Sequence, residues 1–184
     1  MSDSLITIVA IFLAVILMFI FPLMSIADRN DDIAETTVQA AVTEFVDTAK
    51  STGKITAAEY SKFLSKIEAT GNTYDVEIEV KVLDENVGKK SAWTNGTVIG
   101  ENVYYSEFTT QILKQLGIKS DQENVELSND TIILKQGDFI YVEVTNENST
   151  AAQTLKSSFL GFSNVGEYVI TASSSGMVTV NGVK

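Results

Sequence analysis

Paired carboxylates are the residues of this chain best suited by type to acid/base chemistry, and Glu77 and Glu79, two apart in Tyr74-Asp75-Val76-Glu77-Ile78-Glu79-Val80-Lys81-Val82, share one strand face. A second acidic group, Asp28, Asp31, Asp32 and Glu35, has the oxygen ligands a divalent cation prefers. Each has an ordinary explanation. Glu77 and Glu79 alternate with an apolar set and so fall on the solvated side of their strand, while acidic residues near a helix start complement its dipole. With no His and no Cys, Ser-His and Cys-His nucleophiles are impossible within this chain, and tetrahedral zinc loses its usual ligands. Gly161 to Gly166 has glycines but neither the spacing nor the lysine of a phosphate loop. No catalytic residues, metal or cofactor are expected, and the chain reads as a non-enzyme.

The elements that position these groups begin with an apolar rod. From Leu5 to Ala27 there are 23 residues without a charge, enough as a helix to cross a hydrocarbon core about 30 Å thick. A cleaved signal peptide would want a basic segment ahead of the run, and Met1-Ser2-Asp3-Ser4 has none, although Ser25 and Ala27 are small. A retained anchor is the expectation, with a lipid bilayer as partner. Pro22 lies in its last turns and removes one helical hydrogen bond. Ala10 and Ala14, four apart, allow close approach of another helix, as do Ser25 and Ala27. Leu5, Ala10, Ala14, Pro22 and Ala27 are therefore the candidate anchoring and helix-packing residues.

Apolar periodicity continues beyond the span. Ala34, Val38, Ala41, Val42, Phe45, Val46 and Ala49 recur at steps of three and four, so one helix from about Leu5 to Ala49, roughly 65 Å long, is expected, with Gly53 as its stop. That stripe must be covered. Either the head's own sheet covers it, or neighbouring helices share it, which makes Ala34, Val38, Ala41, Val42, Phe45 and Val46 candidate subunit-interface residues together with Asp3.

The remainder is patterned as one α+β head of helices on a mostly antiparallel sheet. Thr56 and Glu59 form a capping box for a second helix with Tyr60, Phe63, Leu64 and Ile67 on one face, ended by Gly71-Asn72. Tyr74 to Val82 alternates strictly and should bury Tyr74, Val76, Ile78, Val80 and Val82. Asp84 to Glu101 reads as a long loop or weak hairpin, with Trp93 closing the core. Ser106 is the expected cap of a third helix turning Phe108, Ile112, Leu113 and Leu116 inward, with Gly117 terminating it. Strands follow at Asn124–Leu127, Thr131–Lys135 and Asp138–Thr145, the last two joined at Gln136-Gly137. A short helix at Ala151–Leu160 is expected to pack Leu155 and Phe159. A terminal hairpin is expected from Glu167–Ala172 and Met177–Val180.

The chain thus divides into a tail and span (1–29), an amphipathic continuation (30–54) and the head (55–184). Of 24 acidic and 13 basic residues, Asp3, Asp28 and Arg29 are the charged ones through position 29, which leaves the rest near −10 and disfavours nucleic acid as a partner. Arg29 alone would draw its side of the span inward by the positive-inside rule.

The order of an uncharged span, an amphipathic continuation with Phe45, Gly53-Lys54-Ile55-Thr56 before Tyr60, and the run Gly137-Asp138-Phe139-Ile140-Tyr141-Val142-Glu143-Val144 resembles the TadE-like pseudopilins encoded beside type IV pilus-type machinery. The resemblance covers nearly the whole chain as an ordering of elements. It implies a long helix anchored in the cell membrane by a single pass, an extracytoplasmic α+β head, and a part in assembling or priming a thin pilus. Its implied partners are other pilin-like subunits and pilus or secretion assembly proteins. Prepilins generally carry a basic leader and a glutamate near the start of the mature helix. Here Asp3 precedes the apolar run and is the candidate for that acidic docking role.

Overall fold

A computed structural model describes residues 2–83, 104–118, 131–160 and 170–183. The expected loop at 84–101 with Trp93, the strand at 124–127, the Gly161–Gly166 run and positions 167–169 of the terminal hairpin fall outside these residues.

One helix, α1, runs unbroken from Ser2 to Thr52, 51 residues and about 77 Å at 1.5 Å per residue, through Pro22. It is longer at both ends than the periodicity alone predicts. Gly53 stops it with φ +67, a left-handed conformation that a side chain resists, and its N–H closes the last turn onto the Ala49 carbonyl. The chain continues through β1 (Lys54–Thr56) into α2 (Ala57–Glu68). Thr56 Oγ1 accepts from Glu59 N while the Glu59 carboxylate accepts from Thr56 N, the reciprocal cap expected. α2 turns Tyr60, Phe63 and Ile67 into the core, and Gly71, at φ +83, ends the turn that follows.

β2 (Tyr74–Leu83) buries Val76, Ile78 and Val80 and half-buries Tyr74 and Val82, as its alternation demands. It pairs antiparallel with β3 (Tyr104–Phe108) on one side and β5 (Phe139–Asn146) on the other, and β5 pairs with β6 (Thr171–Met177). The order β3-β2-β5-β6 puts the two most apolar strands in the centre. A small clasp, β4 (Thr131–Ile133) against β1, closes the end where α1 stops. α3 (Thr109–Gln115) and α4 (Ala151–Leu160) complete the α+β architecture.

The amphipathic half of α1 lies on the inner face of this sheet. Val38, Val42, Phe45, Val46 and Ala49 are buried against a cluster that includes Val76, Ile78, Ile140, Val142, Val144 and Ala172. α2 packs beside α1, where Phe45 and Phe63 stack with ring centroids 4.9 Å apart and Tyr60 meets Phe45 edge-on at 6.3 Å.

Several expectations are corrected. Ser106 is not a helix cap: it sits in β3, where its hydroxyl donates to Glu79 Oε1 at 2.7 Å. Phe108 is the N-cap of α3 instead, its N–H donating to Gln111 Oε1 at 3.0 Å, and the Thr109 hydroxyl accepts from Ile78 N at 2.7 Å as β3 parts from β2. Phe108 is consequently exposed, while Ile112 and Leu116 are buried as expected. Phe159 of α4 is also exposed, and Ala152 supplies the buried contact of that helix. The Ser173-Ser174-Ser175-Gly176 run is not a turn but the middle of β6. Ala172, Ser174 and Gly176 lie opposite Val144, Val142 and Ile140, and these small side chains leave room for α1 above them. A Cβ on Gly176 would lie 2.6 Å from the Lys50 side chain. Finally, β4 and β5 flank the Gln136-Gly137 turn as expected, yet they enter different sheets.

Candidate functional site

The two halves of α1 have opposite surroundings. Among the described residues it is the helix long and apolar enough to cross a membrane, and none of its most apolar stretch is buried. Leu5, Ala10, Ala14 and Pro22 are all exposed, as are Phe12, Phe19, Phe21 and Leu23. A soluble surface does not display such a continuous apolar cylinder. Of the two pairs of small residues, Ala10 and Ala14 remain open to another helix, whereas Ala27 is buried. Asp3 is placed in the first turn of α1.

Ala34, Val38, Ala41, Val42, Phe45 and Val46 are placed inside the head, each 5% exposed or less. Of the two ways to cover the stripe, the chain uses its own sheet. Those six side chains are taken up by the head's own packing, and Ala41 and Phe45 retain a trace of surface in the groove between α1 and α2.

Where the two halves join, the acidic residues are engaged by α4. Thr150 Oγ1 donates to Asp31 Oδ2 at 2.6 Å in a buried setting, and Lys156 Nζ pairs with Asp28 Oδ1. Thr150 also accepts from Gln153 N, and its own N–H is bound by Gln153 Oε1 at 2.8 Å, a capping box in which Gln replaces Glu. Its hydroxyl therefore donates to α1 while it caps α4. A carboxylate 7% exposed needs such a donor, because an unsatisfied buried acceptor costs more than the bond itself contributes. Among the described residues no three His, Cys, Asp or Glu side chains gather to hold a metal ion. Asp28 and Asp31 fasten α4 to the foot of the head.

The far end of the head is locked by the chain's last described residues. Thr179 donates through both N–H and hydroxyl, each at 3.1 Å, to the Lys50 carbonyl, one of the orphan acceptors at the end of α1. Leu134 N donates to Gly53 O at 2.8 Å and Gly182 N to Leu134 O at 2.9 Å, so the terminal segment, β4 and the end of α1 form one hydrogen-bonded knot. Buried Asp138 ties the preceding turn to the sheet by accepting from Leu83 N at 2.9 Å and Lys135 N at 2.7 Å.

The carboxylates with catalytic potential lie on an open surface. Glu79 accepts from Ser106 and stands 3.8 Å from Lys81 Nζ, and Glu77 lies opposite Glu143. Tyr141 donates to Glu143 Oε2 at 2.7 Å, and that bond, aided by desolvation and the carboxylate's charge, holds its phenol above the usual range. These groups occupy the solvated face of a sheet. A groove of about 140 Å³ between α1 and α2 is floored by Phe45 and Phe63 and rimmed by Glu44, Lys62 and Lys66. Glu44 reaches both lysines, and the hydrogen bond from Lys66 draws its carboxyl below the usual range.

Sequence reasoning did not single out Thr150, Lys156 or Thr179. Ser149-Thr150 precede a helix, with Gln153 three residues after Thr150, a readable cap signal, but the second partner of Thr150 lies 119 residues away. Comparison with protein-family models, with curated proteins and with solved structures finds no match to this chain.

Proposed function

We propose that this chain is a membrane-anchored, pilin-like structural subunit that contributes to assembly of a type IV or Tad-type pilus or a related secretion or conjugation apparatus, with its head outside the cytoplasm and no catalytic role. One observation carries the reading: α1 is a single helix whose first half is bare and apolar and whose second half is the buried spine of the head. Such a rod has two uses. In the bilayer it anchors the head, and the same apolar surface serves contacts with other anchored helices. Association in lipid depends on close packing, because the hydrophobic effect does not press helices together there, and Ala10 and Ala14 provide a surface of the right kind. The resemblance to TadE-like pseudopilins supports the same organisation.

The chain contains no cysteine, so Ala10→Cys and Ala14→Cys can each report neighbours by oxidative or reagent cross-linking in native membranes. Adducts with its own copies or with pilus-type assembly proteins are expected. Uncross-linked monomer from both variants would overturn the subunit reading.

A second reading is favoured by the burial of the Ala34 to Ala49 stripe within the head. A head that completes its own core suits a single-pass surface binding module that works without a filament. Membrane-retained monomer in the same experiment supports that alternative.

A further inference from the structure

α4 runs back along α1 toward its apolar half. Its start is fixed to Asp31 through Thr150, and nearly two turns later Lys156 reaches Asp28, which is three residues nearer the uncharged run. Ala151–Leu160 extends about 15 Å. Followed along that line, the last turn of α4 heads toward the end of the apolar run, where Ala27 is buried and Met24 half-buried.

Ala152, Leu155, Lys156 and Phe159 recur at helical spacing and make one stripe. Burial fades along it, from Ala152 at 2% exposure, through half-buried Leu155 and Lys156, to Phe159 at 54%. Leu23 and Ile26 of α1 are exposed to a similar degree, 52% and 58%. Two helices therefore open apolar surface toward the same end of the head, the end that faces the surface a bilayer would cover.

The low polarity of α4 points to the same occupant. In a chain of net charge −11, α4 has no acidic residue and carries Lys156 beside exposed Ser157 and Ser158. The hydroxyls of both serines are turned onto the Thr154 carbonyl at 3.0 and 2.8 Å, which lowers the polarity the last turn presents. Such a segment, its lysine charge already met by Asp28, suits the headgroup region of a bilayer, where an aromatic ring reaches the acyl boundary.

We propose that α4 is a second membrane contact: its final turn enters the interface of the bilayer, with Phe159 among the lipid chains, and so fixes the depth and tilt of the head on the anchor. This rests on the anchoring of α1 proposed above. Because Thr150 and Lys156 bind α4 to α1, the two contacts act as one rigid foot.

The test uses full-length protein in vesicles of mixed phosphatidylcholine and phosphatidylglycerol, with single nitroxide labels at Val15→Cys, Phe159→Cys and Ser65→Cys. Phe159 and Ser65 are exposed, so neither substitution disturbs the core. Accessibility to a water-soluble nickel chelate and to oxygen is measured at each. Loss of nickel accessibility with gain of oxygen accessibility is expected at 15 and 159, with the reverse at 65 on α2. Position 15 shielded while 159 matches 65 would overturn the interfacial role of α4 and leave the anchor standing. Nickel access at 15 as well would overturn the anchor, and the inference with it.

Discussion

Thr150 Oγ1 and Asp31 Oδ2 meet at 2.6 Å, joining the foot of the head to α1 across 119 residues of sequence. A hydrogen bond to a charged acceptor contributes about 1.5–3 kcal/mol, and truncation also strands the buried carboxylate. Thr150→Val should therefore lower the unfolding free energy of the detergent-solubilised chain by about 2 kcal/mol or more, whereas Thr150→Ser keeps both bonds and most of the stability. A double-mutant cycle with Asp31→Ala, read by denaturant titration, should return a coupling above about 1 kcal/mol. Strict additivity would show that the contact is idle.

The knot at the other end of α1 predicts a contrast between two glycines that both have positive φ. At Gly53 a Cβ would lie 2.5 Å from Gly182 N and from Val180 O, while at Gly71 nothing lies within 4 Å. Gly71→Ala should cost only the left-handed conformation, about 1–2 kcal/mol. Gly53→Ala adds a clash with backbone that a side-chain rotation cannot relieve, and should cost at least about 2 kcal/mol more. Equal midpoints in thermal or denaturant unfolding would mean that the terminal segment does not hold its place against α1.

Burial of Tyr60, reinforced by the charge of Asp75, pushes its phenol up from 10.0 to about 12. The unfolded chain ionises first, so between pH 10 and 12 the native state binds more protons than the unfolded one. Stability attributable to Tyr60 is thus fully present below pH 10 and declines as pH rises toward 12, by about 2 kcal/mol in all. Tyr60→Phe should flatten that decline in unfolding measured across this range. Tyr141, raised by its bond to Glu143, acts with the same sign, and the slope should be smaller again in the Tyr60→Phe, Tyr141→Phe double variant.

Local signals carried much of this fold. The cap at Thr56 and Glu59, the alternation of β2 and the stripe on α1 each involve residues within a turn or two, where periodicity and capping chemistry act directly. Failures came where tertiary contacts overrode local preference. Ser106 has a capping residue's chemistry, but its hydroxyl serves Glu79 on the neighbouring strand. Ser173 to Gly176 has a turn's composition, but small residues are what an edge strand needs where Lys50 passes overhead. The acidic residues Asp28 and Asp31 offered oxygen ligands in sequence, and only the fold reveals Lys156 and Thr150 across from them. The covering of the Ala34 to Ala49 stripe was likewise undecidable from one chain's pattern, since a sheet and a neighbouring helix satisfy the same periodicity.

The bare half of α1 predicts how the protein partitions. Val15 lies near the middle of the uncharged run and is exposed, so a charge placed on it would face the lipid. An arginine at mid-span costs about 2.5–3.5 kcal/mol on insertion scales, enough to shift retention by roughly two orders of magnitude when insertion is balanced. Val15→Arg should move much of the protein out of the carbonate-resistant membrane fraction, while Val15→Leu should stay in it. The head provides an internal control, because Val15 is far from the core formed by Val42, Ile78 and Val142 and its replacement should leave the melting of the solubilised head unchanged. Equal membrane retention of the arginine and leucine variants would mean that α1 is held by something other than lipid, and would remove the physical basis for reading the rod as an anchor.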